Sequence, residues 1–238
     1  MWARRYTLGA MSTKKTAKAR KTADLHHRTI TGQVQRARTR AHIIETAIGV
    51  FSEQGPFKPL IDDFVKAAGL SRGSFYNYFS TVHELLEEAV NVVADSCIME
   101  IEAAVKDIKS PVIRFSCAAQ LFQRQVRSYP VLAAFVAAVS SVSDRLAEKL
   151  SRDIHEAMSL GLIKAHSAEA AFIAAHGIAY YSLVHPIQHP ERKTVPETEV
   201  IRLILNAWGV PPALIKRALA APLPRLKPLT LKESIPKE

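Results

Sequence analysis

From Gln33 onward the apolar residues recur every three or four positions, and nowhere do they alternate one by one over a useful length. The first spacing belongs to a helix with one buried face, the second to a half-buried strand. An all-α fold is therefore expected. Ile43, Ile44, Ala47, Ile48 and Phe51 form one such stripe, and Gly55-Pro56 stops it. A short helix follows over 60–68, with Asp62 and Asp63 in its first turn, where the helix dipole favours carboxylates. Gly69 ends that helix as a C′ glycine, and Ser71 offers an N-cap hydroxyl to a second short helix ending near Phe79. Longer helices are expected at about 82–108, 111–127, 130–139, 143–160, 167–185, 197–208 and 211–220, separated by prolines and glycines.

The division along the chain follows. Residues 1–33 read as a basic, disordered arm, 34–80 as a three-helix head, 81–221 as a larger helical domain and 222–238 as a flexible tail. The chain carries a formal net charge of +10, and all of that excess lies in residues 1–40, where eleven Lys and Arg side chains face a single acid, Asp24. A stretch so charged and so poor in apolar residues cannot bury enough surface to build a core, and it suits a polyanion. The competing reading of the first thirty residues is a solubilising leader or an extension ahead of Met11. Two cysteines, Cys97 and Cys117, are too few and too far apart for a disulfide framework or a CxxC zinc site. No segment reaches the length of an uncharged apolar membrane span, and the first ten residues lack the apolar run of a secretory signal, so the expected location is cytoplasmic.

Two short helices joined by a glycine-containing turn, with an amphipathic helix before them, make a helix-turn-helix. In the second of the pair Phe75, Tyr78 and Phe79 share one face, which would anchor on Phe51 and Phe64. Arg72, Gly73, Tyr76 and Asn77 share a roughly opposite face. That outward face holds an arginine able to pair with guanine O6 and N7, an amide, and a glycine permitting close approach. Tyr76 and Tyr78 offer hydroxyls to phosphate oxygens.

Those residues resemble a family. Thr39-Arg40-Ala41-His42-Ile43-Ile44, and the run from Gly69 to Phe79, are similar to the DNA-binding head of TetR/AcrR-type regulators. The likeness covers about 39–90. It implies an all-α homodimer in which a ligand in the larger domain moves two reading heads. It also implies that Ser71, Arg72, Gly73 and Ser74 face the groove, Tyr76 and Asn77 the backbone, and Thr39 a phosphate at the start of the first helix. Three positions depart from the usual pattern: Pro59 stands where a threonine commonly starts the second helix and suits a first helical turn, Val82 replaces a lysine, and Asn77 a histidine or tyrosine. Residues 41–80 carry three bases against four acids, so the head is not basic by itself.

In the larger domain, 167–185 is apolar nearly all round, and a helix without a polar face must be covered on every side. Phe172, Ala175, Ala179 and Leu183, with Ile201, Ile204 and Trp208, are expected at a four-helix dimer seam; a buried central helix is the alternative. Phe115, Leu121, Phe122, Phe135, His155, Met158 and His176 lie on segments that, by the family likeness, enclose a pocket for a small apolar or amphipathic effector. His185, His189 and Glu191 have a metal-like spacing, but Pro186 and Pro190 argue against a regular helix there, and no metal or cofactor is assigned. No GxSxG elbow, phosphate-cradling glycine loop or HExxH is present, so no enzyme is assigned.

The expected function is a sequence-specific transcriptional regulator, a ligand-responsive repressor acting as a homodimer on a palindromic operator. The alternatives are a helical small-molecule carrier or enzyme, and an architectural DNA binder driven by the arm. Because the head lacks positive charge, the arm is expected to supply much of the non-specific affinity, through counterion release and insertion into the minor groove. Removing residues 1–33 is expected to flatten the dependence of log K on log salt for operator DNA by several units; an unchanged slope in a fluorescence titration refutes it.

Overall fold

A computed structural model describes residues 7–129, 133, 136–139 and 142–226, with side chains from residue 31 onward. Among them the helices are α1 (Thr7–Gln54), α2 (Ile61–Ala68), α3 (Arg72–Tyr76), α4 (Val82–Val105), α5 (Pro111–Ser128), α6 (Asp144–Ser159), α7 (Ala168–Gln188), α8 (Glu197–Ala207) and α9 (Pro212–Leu219). No strand occurs among the described residues. None of these helices is long and apolar enough to cross a membrane. The chain divides into two compact units, residues 1–43 and 44–238. The first is a helical stretch whose side chains from 31 to 38 are exposed.

The first unit differs from the expectation of a disordered arm, because α1 begins at Thr7. Lacking a core is not the same as lacking a helix: the stretch is rich in Ala, Lys and Arg, which propagate helix without burial, and holds no proline before Gln54. The other bounds fall within a few residues of those read from the sequence, and most of the 130–139 segment lies outside the described residues. Helix α7 runs through Pro186 to Gln188, past the expected break at 185. Within the last turn a proline removes only one ladder bond, and the His189 amide still closes on the His185 carbonyl at 2.9 Å.

The core of the second unit gathers around Trp208. Its ring lies 4.4 Å from that of Phe115, and its Nε1–H donates to the Ala171 carbonyl at 2.8 Å. Ile154, Ala175, Ile201, Ile204 and Leu205 complete the same buried cluster. Ala175, Leu183, Ile201, Ile204 and Trp208, expected at a dimer seam, are thus buried within their own chain. Phe172 and Ala179 pack against the edge of this core. A periodicity plot cannot tell burial by one's own chain from burial by a partner. Among the residues that α7 and α8 leave exposed are the apolar Ile173, Tyr181, Ile187 and Leu203, with Gly177 between the first two.

Gly209 closes α8 in the left-handed region, at φ 67°, and the Lys164 amide donates to the Trp208 carbonyl beside it at 2.7 Å. A β-carbon at Gly209 stands 2.9 Å from Lys164 Cβ, whereas one at Gly69, also left-handed, meets nothing within 4 Å. Both alanine substitutions incur the left-handed penalty of about 1–2 kcal/mol. Gly209→Ala is expected to cost measurably more than Gly69→Ala in chemical denaturation; equal losses contradict the close approach.

Candidate nucleic-acid interface and ligand cavity

The head is built on phenylalanines. Phe51, Phe64, Phe75 and Phe79 are each essentially sealed from solvent. Their rings stand 4.9 Å apart for Phe51 and Phe64, 6.5 Å for Phe64 and Phe75, and 6.0 Å for Phe75 and Phe79. With Phe75 fixed inward, helical geometry turns its neighbours out, and Ser71, Arg72, Gly73, Tyr76 and Asn77 are all exposed. Ser74 and Tyr78 are half-buried.

Local hydrogen bonds hold this rim in place. Ser71 caps α3 by accepting from the Ser74 amide at 3.1 Å, and its hydroxyl lies 2.9 Å from that of Ser74. The helix ends at Tyr76, short of Phe79, because its last turn tightens. The amides of Asn77 and Tyr78 bond three residues back, to Ser74 and Phe75. Pro59 lies one residue before the N-cap of α2, not in its first turn. The capping there is done by Asp63, whose carboxylate accepts from the Leu60 amide at 2.8 Å. Thr81 caps α4 by accepting from the Glu84 amide at 3.0 Å, and the Glu84 carboxylate accepts from the Ser80 amide at 2.7 Å. In the first unit the Thr39 hydroxyl donates to the Gln35 carbonyl at 3.0 Å.

Sequence reading missed one feature of the rim. Arg72 is held by Asp62 through two parallel bonds, its Nε donating to Oδ1 at 2.6 Å and its Nη2 to Oδ2. The pair is exposed, and the bond from Arg72 draws the Asp62 carboxyl below its ordinary range. Two acids opening α2 pointed only to the helix dipole; that one of them faces Arg72 ten residues on is a product of the turn.

In the larger domain a cavity of about 160 Å³ opens between α4, α5, α6 and α7. Of the residues expected to enclose a pocket, Phe115, Phe122 and His176 line it. Leu121 is buried, Met158 packs against the Trp208 core, and His155 is exposed with Nδ1 at 2.7 Å from the Ser151 carbonyl. Phe135 lies outside the described residues. His176 is stacked between Phe172 and Tyr180, at 6.1 and 5.9 Å, and burial pushes its imidazole below the ordinary histidine value. Cys97 and Cys117 are buried free thiols, and burial raises Cys97 to about 12, so neither is a thiolate near neutral pH.

Residues 43–89 match the model for "Bacterial regulatory proteins, tetR family". The head belongs to the TetR family. The chain is 36% identical over 64 residues to the HTH-type transcriptional regulator AcrR of Shigella flexneri, covering 27% of this chain and 29% of that protein. It is 48% identical over 44 residues to the uncharacterized HTH-type transcriptional regulator YvdT of Bacillus subtilis (strain 168), covering 18% of this chain and 23% of that protein. The chain thus spans under a third of the length of these relatives. Beyond the TetR-type head the likeness is one of fold: the crystal structure of RolR in complex with the ligand resorcinol superposes with a TM-score of 0.72 at 19% identity, over 82% of this chain and all of that one.

Gly73 has an ordinary helical backbone, and a β-carbon there meets only the Ser71 hydroxyl, at 3.9 Å. Glycine at this position therefore serves neither the turn nor the packing. Gly73→Ala is expected to keep the TetR-type head folded and to raise its stability by about 0.5–1 kcal/mol in urea unfolding. A destabilised variant shows that the glycine serves the fold.

Proposed function

We propose that the chain is a transcriptional regulator of the TetR type, a repressor whose homodimer holds a palindromic operator and releases it when a small molecule enters the cavity of the larger domain. The observation that carries this reading is the exposed rim of α3, kept outward by the burial of Phe75 and Phe79. It presents a guanidinium, a glycine and an amide on one face, and major-groove recognition uses these groups.

Two further features support the reading. Ile173, Gly177 and Tyr181 lie four residues apart along one stripe of α7, with Leu203 exposed on α8. Such a stripe, with a glycine permitting close approach, suits a second copy of the same two helices. This face replaces the one inferred from periodicity. A two-fold dimer sets its heads about one duplex turn apart, ~34–36 Å, which makes the operator palindromic. The basic arm adds attraction for the phosphates.

Helix α4 links recognition to the cavity. It starts three residues after Phe79, and its later turns supply Val90, Ile98 and Ile101 to the cavity wall. A ligand that binds better to one placement of α4 shifts the heads by that difference in affinity, typically 1–3 kcal/mol. The resorcinol held by RolR supports a small molecule as the effector.

Arg72 must trade its Asp62 partner for a base or donate while still held. Arg72→Ala is expected to weaken binding to the selected operator roughly ten- to a hundredfold and to relax preference at one base position in each half-site. Uniform weakening across all sequences assigns Arg72 to phosphate. Retention of full affinity and preference removes the α3 rim from the interface.

A further inference from the structure

One buried polar atom of a cavity-lining residue lacks a hydrogen-bond partner among the described residues. Gln123 lines the cavity and is 1% exposed. Its Nε2 donates to the Ala179 carbonyl at 3.0 Å and to the Ser182 hydroxyl at 2.9 Å. These bonds fix which end of the amide is nitrogen. A carbonyl only accepts, and the Ser182 hydroxyl spends its own proton on the same Ala179 carbonyl, at 2.7 Å. Oε1 is left buried, with no donor among the described residues. Such an acceptor is costly in the free protein and favours whatever brings a donor to it.

The rest of the wall narrows the class of that donor. Val90, Ile98, Ile101, Phe115, Phe122 and Val139 make it mainly apolar. Its charged members are already matched: Asp153 with Arg114 at 2.7 Å and Lys149 at 3.6 Å, and Glu102 with Arg145 at 3.4 Å. An ionic ligand would enter without an unpaired counter-charge. A cavity near 150 Å³ with apolar walls holds one benzene-sized molecule, and this one measures about 160 Å³.

We infer that the cavity selects a small neutral molecule, about one aromatic ring in size, that carries an O–H or N–H group donating to Gln123 Oε1. Phenols and anilines fit; hydrocarbons, ethers and carboxylates of the same size do not. The inference rests on the reading of the cavity as the effector site and gives that site its chemical class. Gln123 sets the specificity and the apolar wall supplies the general affinity, so removing the amide changes the preference more than the capacity to bind.

The probes are phenol, anisole, toluene and benzoate, titrated calorimetrically into the full-length protein. Phenol is expected to bind about tenfold or more tighter than any of the other three. In Gln123→Leu the ratio of phenol to toluene is expected to fall to near one, through weaker phenol binding and unchanged or tighter toluene binding. The substitution also removes the tie from α5 to α7, so circular dichroism of the variant accompanies the titration, and the wild-type ratios test the inference without it. Equal binding of phenol and toluene by the wild-type protein overturns it, as does a failure of all four probes to bind, or a folded Gln123→Leu that keeps the wild-type ratio. Operator binding is measured on the same preparation. A protein that prefers phenol but selects no DNA sequence upholds this inference and refutes the regulator, whereas sequence-selective DNA binding without phenol preference refutes this inference alone.

Discussion

Phe75 cannot face outward, and the candidate interface depends on that. Packed between Phe64 and Phe79 with essentially no exposure, its ring fixes the rotation of a helix only five residues long. A helix so short has little stability of its own. Its orientation comes from the buried ring and the Ser71 cap, and each exposed side chain of the rim inherits its direction from them. The head can therefore tolerate an unusually polar, even slightly acidic, surface without losing the shape that a groove requires.

The same economy appears in the larger domain. Trp208 draws α8, α7 and α5 together through one ring contact and one indole hydrogen bond. With the aliphatic surface of α7 and α8 spent on that core, the helices keep only a narrow apolar stripe outside, while α4, α5, α6 and α7 leave a cavity between them. Helix α4 belongs to both halves of the second unit, beginning just after the buried Phe79 and ending at Val105 in the cavity wall. Movement at the cavity therefore has a continuous helix along which to reach the head.

Much of this was legible in the sequence, and the reasons are local. The helix-turn-helix rests on contacts between residues close in the chain: the Ser71 cap, the Gly69 turn and the spacing of Phe75 and Phe79. Periodicity reports these directly. It fails where the partner is distant. Helix α7 reads as apolar all round, yet whether Ala175 or Ile173 is covered by the chain's own core depends on where Trp208 goes, and no period encodes that. The Asp62–Arg72 pair spans a turn whose geometry brings together two charges that look unrelated in one dimension. Gln123 left a fainter trace, an amide on the inward stripe with Ser116 and Gln120, which marks polar business in an apolar place without naming it. Residues 7–33 show the opposite error, since absence of a core was read as absence of a helix.

The central claim is that two copies of the α3 rim read one DNA duplex together. Selection of bound fragments from a random-sequence pool by the full-length protein tests it most directly. The account predicts enrichment of an inverted repeat whose half-sites lie about one helical turn, ~10 base pairs, apart centre to centre. Recovery of fragments with no shared motif, or of a single unrepeated half-site, contradicts it.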